Sequence, residues 1–284
     1  MFIMPLFRNQ FMASALAFGS RYGYLVRVYG TILFNALKQA RLSRKDFSAL
    51  WFMFVAPVFY VLDIRVVKSP FGVLHIADRE TLRSFVYGFF KTYFYYVKDL
   101  KALSGELRFP VIVDVGANIG DFTLGTAQIA DKIIAVEPGK QNFRALKANL
   151  KANDIENVLA LNVAVTDTNK TVFLQGNTSD MFVTAENSGE AVDGLTVDQI
   201  VQEHLIGDVD VVKLDVQGHE LPVLLGMRQL FLKKSVKLLI VEVHLKRGVK
   251  TNDVISLMHR YGYTVIREDN YLFEQPHLYF APQQ

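Results

Sequence analysis

Val111-Ile112-Val113-Asp114-Val115-Gly116-Ala117-Asn118-Ile119-Gly120 is the stretch on which the reading of this 284-residue chain turns. Its first half is an apolar run of strand length, and its second half is a small-residue loop that leads into a helical pattern. Gly116 and Gly120 allow another group to approach the backbone closely, and the helix start beyond them presents unpaired N–H groups to an anion. In a nucleotide-like ligand that anion is a phosphate or a carboxylate. The dinucleotide fingerprint G-x-G-x-x-G requires glycine at 118 and 121, where this chain has Asn118 and Asp121. The spacing therefore argues against an NAD-dependent oxidoreductase.

Downstream, Ile133-Ile134-Ala135-Val136-Glu137-Pro138 reads as a second strand that ends on a carboxylate. From such a position a carboxylate accepts hydrogen bonds from both hydroxyls of a ribose. Strands are expected at Val111–Val115, Lys132–Val136, Val158–Val165, Val209–Asp215, Lys237–Val243, Tyr263–Arg267 and Leu278–Ala281, most with helices between them. That alternation predicts an α/β domain with a mainly parallel sheet covered on both faces. An extra strand at Thr171–Gln175 and the polar stretch Gly176–Gly194 interrupt the pattern. The stretch is expected to be a surface loop that meets substrate.

Upstream the pattern changes. Val61–Val67, the turn Ser69-Pro70-Phe71-Gly72 and Val73–Ala77 predict a β-hairpin, after which Asp78 is placed to cap a helix. Phe85, Phe89, Tyr93 and Tyr96 recur along one face of that helix as a core stripe, and Gly105 should end it. Residues 10–60 read as apolar helices edged by Arg21, Arg27, Lys38, Arg41, Arg44 and Lys45. This pattern suits a membrane surface or a cap packed on the main domain. The chain thus divides into 1–60, an apolar basic helical extension; 61–109, a hairpin and aromatic helix; and 110–284, a ligand-binding domain.

The overall charge of +3 conceals an asymmetry. Residues 1–110 hold 15 Lys/Arg against 6 Asp/Glu (+9), and residues 111–284 hold 16 against 22 (−6). A basic first part fits contact with an anionic surface. The longest uncharged run, Phe47–Leu62, falls short of the roughly 18 residues of a spanning helix and contains Pro57. A buried or interfacial helix is therefore favoured over a span, and the protein is expected to be cytoplasmic or peripherally attached to a membrane. Met1–Phe18 lacks the charged start of a signal peptide. With no cysteine, disulfides, thiolate metal sites and a cysteine nucleophile are excluded.

Five segments together resemble the FkbM family of methyltransferases: Asp114–Gly120; Val136-Glu137-Pro138; Asn162-Val163-Ala164-Val165-Thr166-Asp167; Leu195-Thr196-Val197-Asp198; and Val212-Lys213-Leu214-Asp215-Val216-Gln217-Gly218-His219-Glu220. The resemblance runs over residues 61–268, and residues 1–60 lie outside it. It implies the Rossmann-like class I methyltransferase fold, a seven-stranded sheet with the last strand antiparallel. It also implies S-adenosylmethionine as donor and, commonly, O-methylation of sugars or other small molecules. Carried onto this chain, Asp114, Gly116, Ala117, Asn118 and Gly120 would surround the methionine part of the donor. Glu137 and Pro138 would meet its ribose, the turn from Asn162 to Ala164 its adenine, and Asp215 would lie near the sulfonium. The family often has Glu where this chain has Gln217.

A hydroxyl acceptor benefits from a base, and the candidates at strand ends are Asp215, His219, Glu242 and His244, with Asp215 and His244 favoured. Each also has a structural reading: Asp215 as a turn cap, Glu242 as an ion-pair partner, the histidines as hydrogen-bonded core residues. Asp215, His219, Glu220, Glu242 and His244 are also metal-ligand types, but no recognised spacing motif joins them and no metal is expected. The expected activity is O-methylation of a small-molecule or glycan-like acceptor. The alternatives are a non-catalytic membrane-surface or assembly protein that keeps the donor-binding fold, and a nucleic-acid methyltransferase, which is disfavoured because no Asn-Pro-Pro-Tyr motif is present.

Overall fold

The computed structural model describes residues 65–69, 72–78, 81, 97–178, 180–184, 188–270 and 275–283. The helices expected within 10–60 and the aromatic stripe Phe85–Tyr96 lie outside the described residues.

Seven strands form the central sheet: β3 (Phe109–Val115), β4 (Ala130–Val136), β5 (Val158–Leu161), β10 (Val209–Leu214), β11 (Val236–Glu242), β12 (Tyr263–Asn270) and β13 (Pro276–Pro282). Their order is β12-β13-β11-β10-β3-β4-β5. β13 runs antiparallel to both β11 and β12, and the other pairings are parallel. This is the class I methyltransferase arrangement, with the last strand antiparallel as expected. Strand alternation distributes the core to two faces. Val113, Val115, Ile134, Val136, Val212 and Leu214 pack on one side. Ile112, Ile133, Val211 and Ile240 pack on the other, against Phe122 and Leu100. Both faces are buried, which is why these strands read as near-continuous apolar runs.

Helices among the described residues are α1 (Val97–Ser104), α2 (Asp121–Thr126), α3 (Lys140–Ala152), α4 (Val197–Glu203), α5 (Glu220–Leu225), α6 (Arg228–Leu232) and α7 (Thr251–Arg260). Helix α1 stops immediately before Gly105, as expected. The hairpin is present as β1 (Val66–Ser69) paired antiparallel with β2 (Gly72–His75). Asp78 Oδ1 accepts hydrogen bonds from the Thr81 N–H and hydroxyl, both at 2.7 Å, in the capping pattern that was expected.

Two expectations are corrected. Val158–Val165 is not one strand: β5 ends at Leu161 and a separate β6 (Ala164–Val165) joins a different sheet. The break falls at Asn162, whose amide turns back to donate to the carbonyls of Glu137 and Pro138 at 2.8 and 2.9 Å. The stretch Gly176–Gly194 is not merely a loop. It contains β8 (Phe182–Thr184) and most of β9 (Glu190–Leu195), which with β6 and β7 (Lys170–Gln175) build a four-stranded sheet ordered β6-β9-β7-β8. Val172, Leu174 and Val192 form its own small core with Ala164.

Candidate active site

The strand order reverses at β3: β4 and β5 lie on one side of it, and the chain then crosses to β10 on the other. In open α/β sheets the crevice at the carboxyl ends of the strands beside such a reversal is where ligands bind. Here it holds a cavity of about 640 Å³, open mouth included, whose wall comes from the ends of β3, β4 and β10 and from the small sheet.

The loop after β3 lies against β10 with no spare room. Gly116 has φ +80°, and a Cβ there would stand 1.9 Å from the Asp215 carbonyl oxygen, so only glycine fits. Asn118 adopts φ 52°, a left-handed conformation that asparagine tolerates, and directs its N–H to Glu137 Oε2 at 2.9 Å. Glu137, one residue beyond β4, also accepts from the Gly139 N–H at 2.9 Å and from the Asn142 amide at 3.4 Å. Burial pushes its carboxyl up to about 7, against these hydrogen bonds and the charge of Lys213.

Gly116, Asn118, Glu137, Pro138, Ala164 and Asp215 all line the cavity. Asp114, Ala117 and Gly120, also expected around the methionine part of the donor, are not among the cavity's lining residues. The Asp114 carboxylate is fully buried, accepting from the Thr123 hydroxyl at 2.6 Å and pairing with Lys213 Nζ at 3.3 Å. It holds the β3–β10 junction beneath the loop. Ala117 is packed in the core, and Gly120 caps α2 and turns toward Leu146.

The strand ends beyond β10 and β11 gather the remaining candidates. Asp215 is 26% exposed at the cavity wall, with Oδ1 accepting from the Gln217 amide at 3.3 Å and Oδ2 3.7 Å from Lys213 Nζ. His244 is not on that wall: it is buried behind Asp215, its Nε2 3.5 Å from Asp215 Oδ1. Its Nδ1–H donates to Glu220 Oε1 at 2.6 Å. Burial pulls the His244 imidazole down, but the Glu220 hydrogen bond and the charges of Asp215, Glu242 and Glu220 outweigh it and raise it to about 9. A free neutral base is not what this geometry offers. Glu242 is buried too, with His277 Nε2 at 3.2 Å from its Oε2. Of the two histidines weighed as bases, His219 is the one on the cavity wall, with Nε2 3.1 Å from the Thr166 hydroxyl; burial lowers it and keeps it neutral.

Several residues of the site escape a reading by motif. Met181, Phe182 and Val183 also line the cavity, and the Asn142 amide donates to the Thr178 carbonyl at 2.6 Å. The motif Leu195–Asp198, by contrast, is structural: Thr196 caps α4, and Asp198 accepts the Gln229 and Leu230 N–H groups at the start of α6.

A mainly parallel sheet in this order with β13 antiparallel, a glycine loop at its switch point and a buried carboxylate at the end of the neighbouring strand define a Rossmann-like methyltransferase domain. Residues 114–265, just over half of the chain, match the methyltransferase FkbM domain, and the chain belongs to that family. It is similar to the hexuronic acid methyltransferase AglP of Haloferax volcanii, 30% identical over 151 residues that cover 52% of this chain and 61% of that protein. It is also similar to the AMB antimetabolite synthetase AmbE of Pseudomonas aeruginosa, 29% identical over 208 residues, 56% of this chain and 10% of that protein. The chain thus spans less than two thirds of either relative. Among solved structures, the magnesium protoporphyrin IX methyltransferase ChlM of Synechocystis PCC 6803 matches at 14% identity and a TM-score of 0.47, over 71% of this chain and 83% of that one.

Proposed function

We propose that this protein transfers a methyl group from S-adenosylmethionine to a hydroxyl of a small-molecule or glycan-like acceptor. The observation that carries the proposal is the placement of Glu137: a buried carboxylate at the tip of β4, in the wall of a cavity whose other edge is the Gly116–Asn118 loop. The residues fit such a donor. Glu137 provides acceptor oxygens for ribose hydroxyls, Val163, Ala164 and Val165 give an apolar wall for a base, and the Asp215 carboxylate faces the same space as a partner for positive charge. Asn162 fixes the Glu137–Pro138 segment to the bend after β5, so the ribose and base walls are held as one unit.

The donor brings an already activated methyl group, so the protein's task is alignment of the acceptor oxygen and removal of its proton as the C–S bond breaks and the C–O bond forms. Asp215 and neutral His219 are the wall groups suited to take that proton. Met181, Phe182 and Val183, which also line the cavity, offer the apolar and aromatic surface on which a sugar ring packs. The name of the Haloferax relative supports a uronic acid as the first acceptor to test.

Calorimetry with S-adenosylmethionine, S-adenosylhomocysteine and NAD tests the donor. Saturable binding of the first two and not of NAD, weakened at least tenfold in Glu137→Ala, is the expected result. Folded protein that binds none of them, or only NAD, overturns it. Transfer of label from S-adenosylmethionine to hexuronic acid glycosides then tests the acceptor class.

A further inference from the structure

The carboxyl ends of β10 and β11 place one imidazole and two carboxylates together. A ligand atom from each of Asp215, Glu242 and His244 lies within 4.8 Å of the other two. Two donor atoms of a four-coordinate cation with bonds of about 2.0–2.2 Å stand roughly 3.3–3.6 Å apart. His244 Nε2 and Asp215 Oδ1 are 3.5 Å apart.

His244 is oriented as a metal-bound histidine is. Its Nδ1–H is committed to Glu220 Oε1 at 2.6 Å, and Glu220, which has no exposed surface, is anchored in turn by the Gly218 N–H at 3.0 Å. This carboxylate–histidine pairing fixes the tautomer and aims the other ring nitrogen forward. That nitrogen, Nε2, is buried, makes no hydrogen bond and faces Asp215. Glu242 Oε2 lies 3.2 Å from His277 Nε2, an ion-pair contact. Asp215 also lines the cavity, so the cluster adjoins it.

We propose that Asp215, Glu242 and His244 form a divalent transition-metal site, with Glu220 orienting His244. Imidazole selects zinc, iron and their neighbours, and carboxylates suit manganese and magnesium, so the mixed set fits Mn²⁺ or Zn²⁺ better than Ca²⁺ or Mg²⁺. The existence of the site does not depend on methyl transfer. Its use does rest on the function proposed above: with Asp215 committed to the cation, the metal would hold the acceptor hydroxyl and lower its pKa, and His219 on the cavity wall would take the proton as the methyl group arrives.

The test uses the full chain, stripped with EDTA and desalted, then titrated with MnCl₂ while the free Mn²⁺ signal is followed by electron paramagnetic resonance. One Mn²⁺ per chain should be taken up, displaced by ZnCl₂ but not by an equal concentration of MgCl₂. Glu242→Gln and His244→Ala should each weaken uptake at least tenfold, and Glu220→Gln by 10- to 100-fold through the orienting contact. Pulsed measurements on the Mn²⁺-loaded wild type should show coupling to one directly bound imidazole nitrogen, which decides the matter even if a variant fails to fold. Absence of uptake, uptake unchanged in folded variants, or absence of that nitrogen coupling overturns the site. S-adenosylhomocysteine binding is measured on the same samples: donor binding without Mn²⁺ uptake defeats the metal site alone, and Mn²⁺ uptake without donor binding defeats the proposed function alone.

Discussion

Glu137 shows how a single side chain couples stability to the binding site. Burial raises its carboxyl from 4.5 to about 7, so the folded protein holds it in the neutral form over a range where the unfolded chain has it ionised. A carboxyl raised on folding contributes stability that is fully present below pH 4.5 and is lost as the pH rises through 7. At 1.36 kcal/mol per unit the loss is about 3 kcal/mol. Glu137→Gln removes the titration, so the stability difference between variant and wild type should shift by about that amount in the variant's favour between pH 4.5 and pH 8. Urea unfolding at the two pH values measures it; an unchanged difference would mean that the carboxylate is accommodated in the folded state after all. The variant's amide would still lose a hydrogen bond at one of the two N–H donors, which is why the shift, and not the absolute stability, is the reading to take.

The hairpin and helix α3 meet through two asparagines spaced one turn apart. Asn153 pairs with both backbone groups of Val73, its Oδ1 accepting at 2.9 Å and its Nδ2 donating at 2.7 Å; Asn149 does the same with His75 and also donates to the Ile119 carbonyl at 2.8 Å. The two amides thus take the place of a neighbouring strand for β2, and Asn149 links the hairpin to the loop that forms the cavity edge. Asn149→Ala leaves buried groups without partners, and about 1–3 kcal/mol of stability should go with them. Denaturant midpoints check the loss, and a midpoint equal to wild type would show that water replaces the amide without cost. Nothing in the one-dimensional pattern announces this contact, because an asparagine on a helix reads as a surface residue until its partner is known. The apolar runs of β3, β4, β10 and β11 were legible because both faces of those strands are buried, and Gly116 and Glu137 because their chemistry is confined to strand ends. Phe182–Thr184 and Glu190–Leu195 were not, since their strands are short, sit among Gly, Ser and Asn, and owe their order to a four-residue core. His244 was legible as a strand-end residue, but which side of Asp215 it takes is set by packing that sequence spacing does not carry.

The charge asymmetry belongs to the whole chain. Residues 1–60 hold seven Lys/Arg against one Asp, whereas residues 111–284 carry a net −6, so an anionic surface attracts one part of the molecule and repels the other. Among the described residues no helix is long and apolar enough to cross a membrane, and the apolar run Phe47–Leu62 lies outside them. If residues 1–60 meet an anionic membrane, their Lys and Arg side chains should carry the attraction. Each Lys or Arg near an anionic membrane is worth about 1 kcal/mol, and reversing Arg41, Arg44 and Lys45 to Glu should therefore weaken binding by well over 100-fold. Co-sedimentation of the full chain with phosphatidylserine-containing vesicles measures this. Wild type should sediment at low salt, release as ionic strength rises and the screening length contracts, and leave phosphatidylcholine vesicles alone. If wild type and the triple variant partition equally, or if neither is retained by anionic vesicles, residues 1–60 serve as a cap on the domain and the acceptor must reach the cavity from solution.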